Sequence, residues 1–218
     1  MTKREGFALF EAARHIEGPN GRGTIVEIGS FYGRSTLCLA FGSRAGSAPR
    51  IHAIDPHIGS PKHEDRLGCR DTWPKLLDTL ARHSLGDLVV PIRKPSVDAT
   101  SDVLGEIDFL FIDGSHDYDD VAADFATWFP RVRPGGLIAF HDSWHMSGVR
   151  RASGEILRVS RDIAEPSLVD TITFLRKVDG NGRKDRIQNR MFVVKRNVFG
   201  LPGFLRLTYR GTRLQRDT

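Results

Sequence analysis

Acidic side chains follow two almost wholly apolar segments of the sequence, where predicted strands end. Asp113 comes directly after the predicted strand Asp108–Ile112, and His141 and Asp142 come directly after the predicted strand Leu137–Phe140. If these strands are parallel neighbours, both carboxylates reach the same edge of the sheet, where two close acids favour a bound cation. Consecutive residues of an extended strand point to opposite sides, so His141 joins Asp142 only if the chain bends there. The alternative is that each aspartate caps the helix that follows it.

Two histidines lie three residues beyond these aspartates. His116 follows Asp113 in a polar turn, and His145 follows Asp142. Imidazole titrates near neutral pH and can accept a proton from a hydroxyl group, so both histidines are candidate general bases. We favour His116 as the base, with a surface or helix-terminal histidine as the alternative, and His145 is the competing base.

A glycine-containing turn separates the first predicted strand, Thr24–Ile28, from the helix after it. Gly29 and Gly33 allow backbone torsions and a close ligand approach that a side chain would block. Asp55, at the end of the second predicted strand, could bind ribose hydroxyls, although a structural turn and a capping acid would explain the same residues. The residues of this predicted cofactor site are Glu27, Gly29, Ser30, Gly33, Ser35, Asp55 and Asp113.

Glu27 helps to identify the cofactor. It lies two residues before Gly29, where the pyrophosphate of a dinucleotide would approach, and a carboxylate there repels phosphate. The same carboxylate suits an ammonium or sulfonium group, and the glycine spacing differs from the G-x-G-x-x-G pattern of nicotinamide enzymes. S-adenosylmethionine (SAM) has a ribose and both cationic groups but no phosphate, so it fits better than NAD. An NAD-binding oxidoreductase is the alternative from another functional class.

Three segments together resemble the class I SAM-dependent methyltransferases. They are Glu27–Thr36, Ile112–Tyr118 and Pro134–Asp142, and the similarity runs roughly from Glu5 to Val194. The branch that they resemble holds metal-dependent sugar and macrolide-sugar O-methyltransferases. The resemblance implies a Rossmann-like α/β fold with a seven-stranded, mostly parallel sheet in the order 3-2-1-4-5-7-6, ending in an antiparallel terminal hairpin. It also implies a role in polysaccharide biosynthesis.

The resemblance further implies how the candidate residues act. Related enzymes hold a divalent metal with an acid that matches Asp113 and with two consecutive residues that match His141 and Asp142. Related enzymes usually have an oxygen ligand at the position of His141, and oxygen ligands suit Mg²⁺, so Mg²⁺ is the expected ion. Mn²⁺ or Co²⁺ are alternatives, because the imidazole of His141 suits these metals better than it suits Mg²⁺. The metal would lower the pKa of a saccharide hydroxyl, His116 would remove its proton, and the oxygen would attack the SAM methyl. A metal-independent enzyme that uses His116 or His145 alone is the nearest alternative.

The elements that position these residues follow from the hydrophobic pattern. Short β-branched apolar runs alternate with helical stretches, which indicates an α/β fold around a mostly parallel sheet. Helices are predicted after Asp117, with apolar residues at three- and four-residue steps through Val132, and from about His145 to Val159. The polar segment 179–190 is predicted to join the last two strands as a hairpin. The seven predicted strands are Thr24–Ile28, Arg50–Ile54, Leu88–Ile92, Asp108–Ile112, Leu137–Phe140, Val169–Leu175 and Met191–Val194.

The long segment 56–74 is polar and contains glycines, so it could form a lid over the cofactor, with a surface loop as the alternative. Its His57 and His63 are expected in a substrate loop or at the surface. Weaker candidates for cofactor or substrate contacts are Phe31, Tyr32, Trp73 and Ser96.

Composition excludes several classes of protein. The 218 residues are 39% hydrophobic and 27% charged, which suits one folded domain, and no apolar stretch is long enough to span a membrane. From Asn181 onward ten Lys or Arg face two Asp, so the basic excess lies at the chain end, which argues against a nucleic-acid binder. Two cysteines suggest no disulfide framework, so a cytoplasmic location is expected.

These observations predict a methyltransferase domain over residues 1–196 and a basic extension over residues 197–218. The extension could lie on an anionic membrane, but packing on its own domain or on a dimer partner is the simpler interpretation. We therefore expect a saccharide or glycan substrate, a homodimer, no nucleic acid and no stable membrane insertion.

Overall fold

The computed structural model describes residues 1–18, 21, 23–59 and 70–199. The strands of this part of the chain are β1 Thr24–Ile28, β2 Arg50–Ile54, β3 Val89–Ile92, β4 Ile107–Ile112, β5 Val132–Phe140, β6 Ile163–Val169 and β7 Ile172–Lys177. The α-helices are α1 Lys3–Arg14, α2 Arg34–Ala45, α3 Trp73–Arg82, α4 Tyr118–Trp128, α5 Ser147–Val159 and α6 Arg183–Phe199. None of these helices is long and apolar enough to cross a lipid bilayer.

The strands form one sheet in the order β3-β2-β1-β4-β5-β7-β6, which confirms the expected order. The neighbours from β3 to β5 pair in parallel. The β7 strand runs antiparallel to both β5 and β6, which confirms the antiparallel terminal hairpin. The carboxyl ends of β1, β2, β4 and β5 therefore meet at one edge, where the predicted site residues lie.

The apolar core covers both faces of the sheet. Every residue of β4 is buried, and its side chains alternate between two apolar clusters, with Phe109 in one and Leu110 in the other. The helices α1, α2 and α3 contribute to the cluster with Phe109, and α4, α5 and α6 contribute to the cluster with Leu110. This three-layer arrangement explains why the central strands are apolar along their whole length.

The terminal hairpin forms from different residues than the sequence analysis predicted. The predicted strand Val169–Leu175 contains the turn between β6 and β7, where Asp170 has a φ of 49°. The predicted strand Met191–Val194 lies inside α6, so that assignment was wrong. Val193 is fully buried whereas Met191 and Val194 are about half exposed, which is the pattern of a helix with one face on the core. The predicted linking segment, residues 179–190, contains the start of this helix.

The predicted end of the helix after Asp117 also differs from the structure. The α4 helix ends at Trp128, a 3₁₀ turn covers Phe129–Arg131, and Val132 begins β5. The sequence Pro134-Gly135-Gly136 therefore lies within β5 rather than ending the helix. This segment lies where the pairing of β4 with β5 is irregular, and its two glycines accommodate the irregularity. Because proline and glycine are unusual inside a strand, the sequence did not indicate that β5 begins at Val132.

Two sequence-based predictions fall largely outside the described residues. The middle of the predicted lid, including His63, belongs to the undescribed range 60–69, and the basic extension is described only to residue 199. Within the described range, α6 continues past residue 196 to Phe199, across the predicted domain boundary.

Candidate functional site

A cleft of about 1150 Å³ opens at the edge where β1, β2, β4 and β5 end. Most of the predicted site residues line it, namely Gly29, Ser30, Ser35, Asp55, Asp113, His116, His141 and Asp142. Among the described residues, three predicted site residues lie outside its wall, namely Glu27, Gly33 and His145. The fold thus brings the predicted cofactor residues and the predicted catalytic residues into one cavity.

The turn after β1 places backbone at the cleft. Gly29 has a φ of 89°, and its amide donates to the carbonyl of Ile54 at 2.8 Å. A Cβ atom at Gly29 would lie 2.2 Å from the carbonyl oxygen of Asp113, so glycine is required for β1 and β4 to end side by side. Gly33 has a different role from the predicted one, because a Cβ there would meet the Leu76 side chain of α3 at 2.9 Å.

Asp55 and Ser30 present polar groups to the cleft beside this turn. The amides of Phe31 and His57 donate to the two oxygens of Asp55 at 2.9 and 2.6 Å, which fixes the carboxylate at the end of β2. Each carboxylate oxygen still has acceptor capacity for ligand hydroxyls. The Ser30 hydroxyl is buried and has no hydrogen-bond partner among the described residues, so it is available to a ligand in the cleft.

Glu27 lies behind the cleft wall. Its side chain is fully buried, and the Thr36 hydroxyl of α2 donates to Oε2 at 2.5 Å. Burial raises the pKa of Glu27 to about 8, and the nearby Asp113 and Asp55 add to this effect while the hydroxyls of Ser35 and Thr36 oppose it. Burial therefore favours the neutral form of Glu27, and its side chain is not part of the cleft wall.

A histidine lies between the two aspartates at the ends of β4 and β5. The Nδ1 atom of His141 is 3.1 Å from Oδ1 of both Asp113 and Asp142. Asp142 has a φ of 55°, and this left-handed residue provides the bend that lets both neighbours face the same point. One ligand atom from each of these three residues lies within 4.8 Å of the other two, so the sequence analysis selected residues that do come together.

Glu5 is a further member of this cluster that the sequence analysis missed. Its Oε2 atom lies 3.6 Å from Nε2 of His141, on the side of the ring away from the aspartates. Thr171, in the β6–β7 turn, donates to Oε1 of Glu5 through its amide at 2.9 Å and its hydroxyl at 2.5 Å. Thr2 and Glu5 also form a capping box at the start of α1, and this local motif was the one sequence signal for a fixed Glu5.

The charges of this cluster depend on one another. Burial opposes an imidazolium at position 141, but Asp113, Asp142 and Glu5 raise the pKa of His141 to about 11. Burial also opposes ionisation of Glu5 and Asp142, yet the nearby imidazole of His141 and their hydrogen bonds hold both pKa values far below the ordinary range. Burial raises the pKa of Asp113. The three carboxylates therefore favour a positive charge at their centre.

The donor set fits a divalent cation. Both ring nitrogens of His141 are buried and lack an aligned hydrogen bond among the described residues, although carboxylates lie close to each. A ring nitrogen in that position could coordinate a metal together with Asp113 and Asp142. Two carboxylates and one imidazole suit Mn²⁺, Fe²⁺, Co²⁺ or Zn²⁺ better than Mg²⁺, which prefers oxygen ligands.

The two candidate bases differ in position. His116 lines the cleft and its Nε2 is 3.0 Å from Oδ2 of Asp142, a hydrogen bond that raises the pKa of His116 above its ordinary value while burial opposes this. Nε2 of His145 is 3.4 Å from Oδ1 of the same aspartate, outside the cleft wall. The turn with His116 is held by α5, because a Cβ at Gly148 would lie 2.2 Å from the His116 carbonyl oxygen. This geometry favours His116 as the base.

The weaker candidates have mixed outcomes. Phe31 and Tyr32 line the cleft and stack at 4.1 Å, whereas Trp73 packs edge-on against His57 at 5.1 Å. His57 is fully buried and its Nδ1 lies 2.7 Å from the Thr72 hydroxyl, so the expected surface position was wrong. His57 has a φ of 56°, so the chain turns at this residue shortly after β2.

The cleft is also lined by an acid, Asp124, that the sequence analysis did not select. Ser96 lines the cleft and donates a hydrogen bond to Asp124 of α4, which lines it too. Burial raises the pKa of Asp124 to about 6. Asp124 is one of several acids in α4, together with Asp119 and Asp120. The sequence therefore did not indicate that its side chain faces the cleft.

One curated protein is similar to part of this chain. The uncharacterized protein y4gI of Sinorhizobium fredii is 31% identical over 121 residues, which cover 55% of this chain and 13% of that protein. The chain therefore corresponds to a small part of that relative's length.

Two solved structures have a similar fold. The O-methyltransferase from Bacillus cereus, in complex with SAH, has a TM-score of 0.57 and 21% identity, covering 81% of this chain and 82% of that chain. The O-methyltransferase TomG from Streptomyces achromogenes, involved in tomaymycin synthesis and in complex with SAM, has a TM-score of 0.59 and 18% identity, covering 82% and 81%. These similarities establish the class I Rossmann-like methyltransferase fold.

A family model described as a methyltransferase domain matches residues 26–143, which span the glycine turn, Asp55, Asp113, His116 and the His141–Asp142 pair. This match argues against the NAD-binding oxidoreductase considered above. Because it covers more than half of the chain, the protein belongs to this methyltransferase-domain family.

Proposed function

We propose that the protein is a SAM-dependent O-methyltransferase that moves the methyl group of S-adenosylmethionine to a saccharide hydroxyl, with assistance from a divalent metal. The observation that carries the proposal is the single cleft in which the glycine turn and Asp55 meet the Asp113–His141–Asp142 cluster. A methyl donor bound at the turn and an acceptor bound at the cluster would lie side by side, and proximity supplies much of the rate of such a transfer.

The cofactor half of the cleft supports SAM. Asp55 can accept hydrogen bonds from ribose hydroxyls, and the buried hydroxyl of Ser30 can bond the amino-acid end of the ligand. A cationic ligand group near Glu27 would favour ionisation of its buried carboxyl group, whereas a phosphate would oppose it. Ser96 and Asp124 provide polar groups for the adenine at the far part of the cleft.

The catalytic half supports transfer to a hydroxyl. His116 would accept the hydroxyl proton on its Nε2 atom, which requires that this atom exchange its contact with Asp142 for the acceptor. The acceptor oxygen then forms a bond to the methyl carbon as the carbon–sulfur bond breaks, and the electron pair stays on sulfur in S-adenosylhomocysteine. Asp113, His141 and Asp142 would hold the metal. A bound divalent ion there would stabilise negative charge on the acceptor oxygen.

A saccharide acceptor is supported by the polar side chains around the cluster. Ser115, His116 and Asp120 line the cleft near the cluster and can hydrogen-bond several hydroxyls of one ligand. These polar side chains suit the several hydroxyls of a sugar ring. The motif resemblance to sugar O-methyltransferases points to the same substrate class.

A metal-independent methyltransferase is the second candidate, and His141 favours it. With its pKa raised to about 11, His141 is an imidazolium that itself supplies the positive charge at the centre of the carboxylates. In that case, His116 would act without a metal ion.

Three measurements test the proposal. Thermal shift with SAM and with NADH should give stabilisation by SAM, and a larger shift with NADH would overturn the assignment. Mass spectrometry with labelled SAM and a panel of mannosides and rhamnosides should reveal a methylated sugar, and methylation of non-sugar hydroxyls alone would exclude a saccharide enzyme. Activity should disappear in excess EDTA and return with Mn²⁺ or Co²⁺, whereas full turnover in EDTA would establish the metal-independent enzyme.

The base assignment has a matched control in His145. His116→Ala should lower turnover 10²–10⁴-fold at saturating SAM, the usual range for loss of a general base, while His145→Ala should have a small effect. If His145→Ala alone abolishes turnover, the two roles must be exchanged.

A further inference from the structure

The outer face of α6 carries an exposed apolar ridge. Ile187, Met191, Val194 and Val198 are 50%, 52%, 58% and 54% exposed, respectively. They follow one another at steps of four, three and four residues, so they line up along one face of the helix. Four large aliphatic side chains in one exposed row are unusual on a soluble surface and indicate a contact with something apolar.

The opposite face of α6 is fixed to the domain, so the helix cannot rotate to bury this ridge. Asn189 is buried and donates to the Ile163 carbonyl at 2.9 Å. Arg196 is buried as well and donates to the Ser153 hydroxyl and the Arg150 carbonyl of α5, each at 2.8 Å. These hydrogen bonds anchor both halves of the helix with the ridge facing outward.

Exposed cations flank the ridge on both sides. At 100° per residue, Arg183 and Arg190 lie on one side of the ridge, and Lys184 and Lys195 lie on the other. None of these four side chains forms an ion pair within the described part of the chain. The surface is therefore an aliphatic ridge between two cationic borders.

We propose that this face of α6 docks on an anionic lipid surface, with the ridge among the upper acyl chains and the four cations at the headgroups. The pattern is that of a helix lying in the plane of a membrane interface, where apolar burial and attraction to anionic lipid act together. Each such cation strengthens binding to an anionic surface about fivefold.

The charge pattern also decides against other occupants. A second copy of the chain, placed ridge to ridge, would bring four cations against four cations, which is unfavourable. Nucleic acid would leave the aliphatic ridge without a partner, because the ridge has no aromatic side chain on which a base could stack. The sequence after residue 199 adds four Arg and one Asp, so it increases the positive charge that follows α6.

Vesicle co-sedimentation of the full chain tests the proposal. The protein should sediment with vesicles of phosphatidylcholine that contain about one third phosphatidylglycerol, should dissociate in high salt and should bind pure phosphatidylcholine much less. Met191→Glu should weaken binding to the anionic vesicles about tenfold or more. Leu104→Glu is the matched control, because Leu104 is 83% exposed in the loop before β4, and this variant should bind as the unmodified chain does.

A second pair of variants tests the cationic borders. Lys195→Ala should weaken binding to anionic vesicles about fivefold, whereas Lys75→Ala on α3 should not. Circular dichroism and the thermal midpoint would verify that each variant is folded.

Several outcomes would overturn the proposal. If Met191→Glu leaves binding unchanged, another part of the chain, such as the residues after 199, binds the vesicles. If the chain ignores anionic vesicles and Met191→Glu converts a dimer to a monomer, the ridge is a self-association surface. Tighter binding to an oligonucleotide than to anionic vesicles would assign this surface to nucleic acid.

Discussion

Replacing Glu27 by Gln should make the protein more stable at neutral pH, although Glu27 belongs to the predicted cofactor site. The side chain is fully buried in β1, and burial raises the pKa of its carboxyl group to about 8, from 4.5 in the unfolded chain. The folded protein therefore keeps this group protonated at pH 7, whereas the unfolded chain ionises it. Glutamine has the same shape and can still accept the hydrogen bond from the Thr36 hydroxyl.

The magnitude follows from the two pKa values. Below pH 4.5 the group is protonated in both states and has no effect on the free energy of unfolding. As the pH rises from 4.5 to about 8, unfolding releases a proton, so the stability falls across this range and levels off above it. At pH 7 the loss amounts to about 3 kcal/mol, which Glu27→Gln should recover in large part.

Chemical denaturation monitored by tryptophan fluorescence, repeated between pH 4 and 9, measures this effect. Trp128 is fully buried and reports on the core. The difference between Glu27→Gln and the unmodified chain should be near zero at the acidic end and should grow until about pH 8. Glu106→Gln, at an exposed position, is the control and should leave the pH dependence unchanged. A constant difference at all pH values, or a less stable Glu27→Gln at pH 7, would refute the reasoning.

Three further predictions concern the cleft. Asp55→Ala should weaken SAM binding by about 1–3 kcal/mol in calorimetry, since it removes hydrogen bonds to a charged group, and an unchanged affinity would remove Asp55 from the site. Gly29→Ala should destabilise the fold by about 2 kcal/mol or more in denaturation, because Gly29 has a φ of 89° and a Cβ there would overlap the Asp113 carbonyl. Gly86→Ala is the control and should have little effect, because Gly86 has open space around it. Glu5→Gln should reduce turnover more than SAM affinity, measured by kinetics and calorimetry, because it removes a charge beside His141 in the proposed catalytic half of the cleft; an equal loss of both would contradict this.

The local signals in the sequence were sufficient for the central strands and for the residues at their ends. The bounds of β1 and β2 were predicted to the residue, because short β-branched apolar runs next to glycine or aspartate leave little choice of structure. Asp55, Asp113 and Asp142 were identified for the same reason, since parallel strands that end together bring their next residues to one edge.

Packing decided the features for which local signals were weak or misleading. The run Met191–Val194 has high strand propensity, but it became part of α6 because Val193 packs into the core while Met191 and Val194 face outward. Ile163 and Ala164 begin β6 because β7 provides pairing partners for both residues. Propensity is a weak preference, and such long-range pairing overrides it.

The cluster of Asp113, His141 and Asp142 shows the same division. The sequence determined that Asp113, His141 and Asp142 stand at strand ends, but their meeting depends on the left-handed backbone of Asp142. Glu5 reaches His141 because Thr171, 166 residues away in the chain, holds its carboxylate through two hydrogen bonds. No local pattern encodes a contact between such distant residues, because it forms only when α1 and the β6–β7 turn pack against the same edge of the sheet.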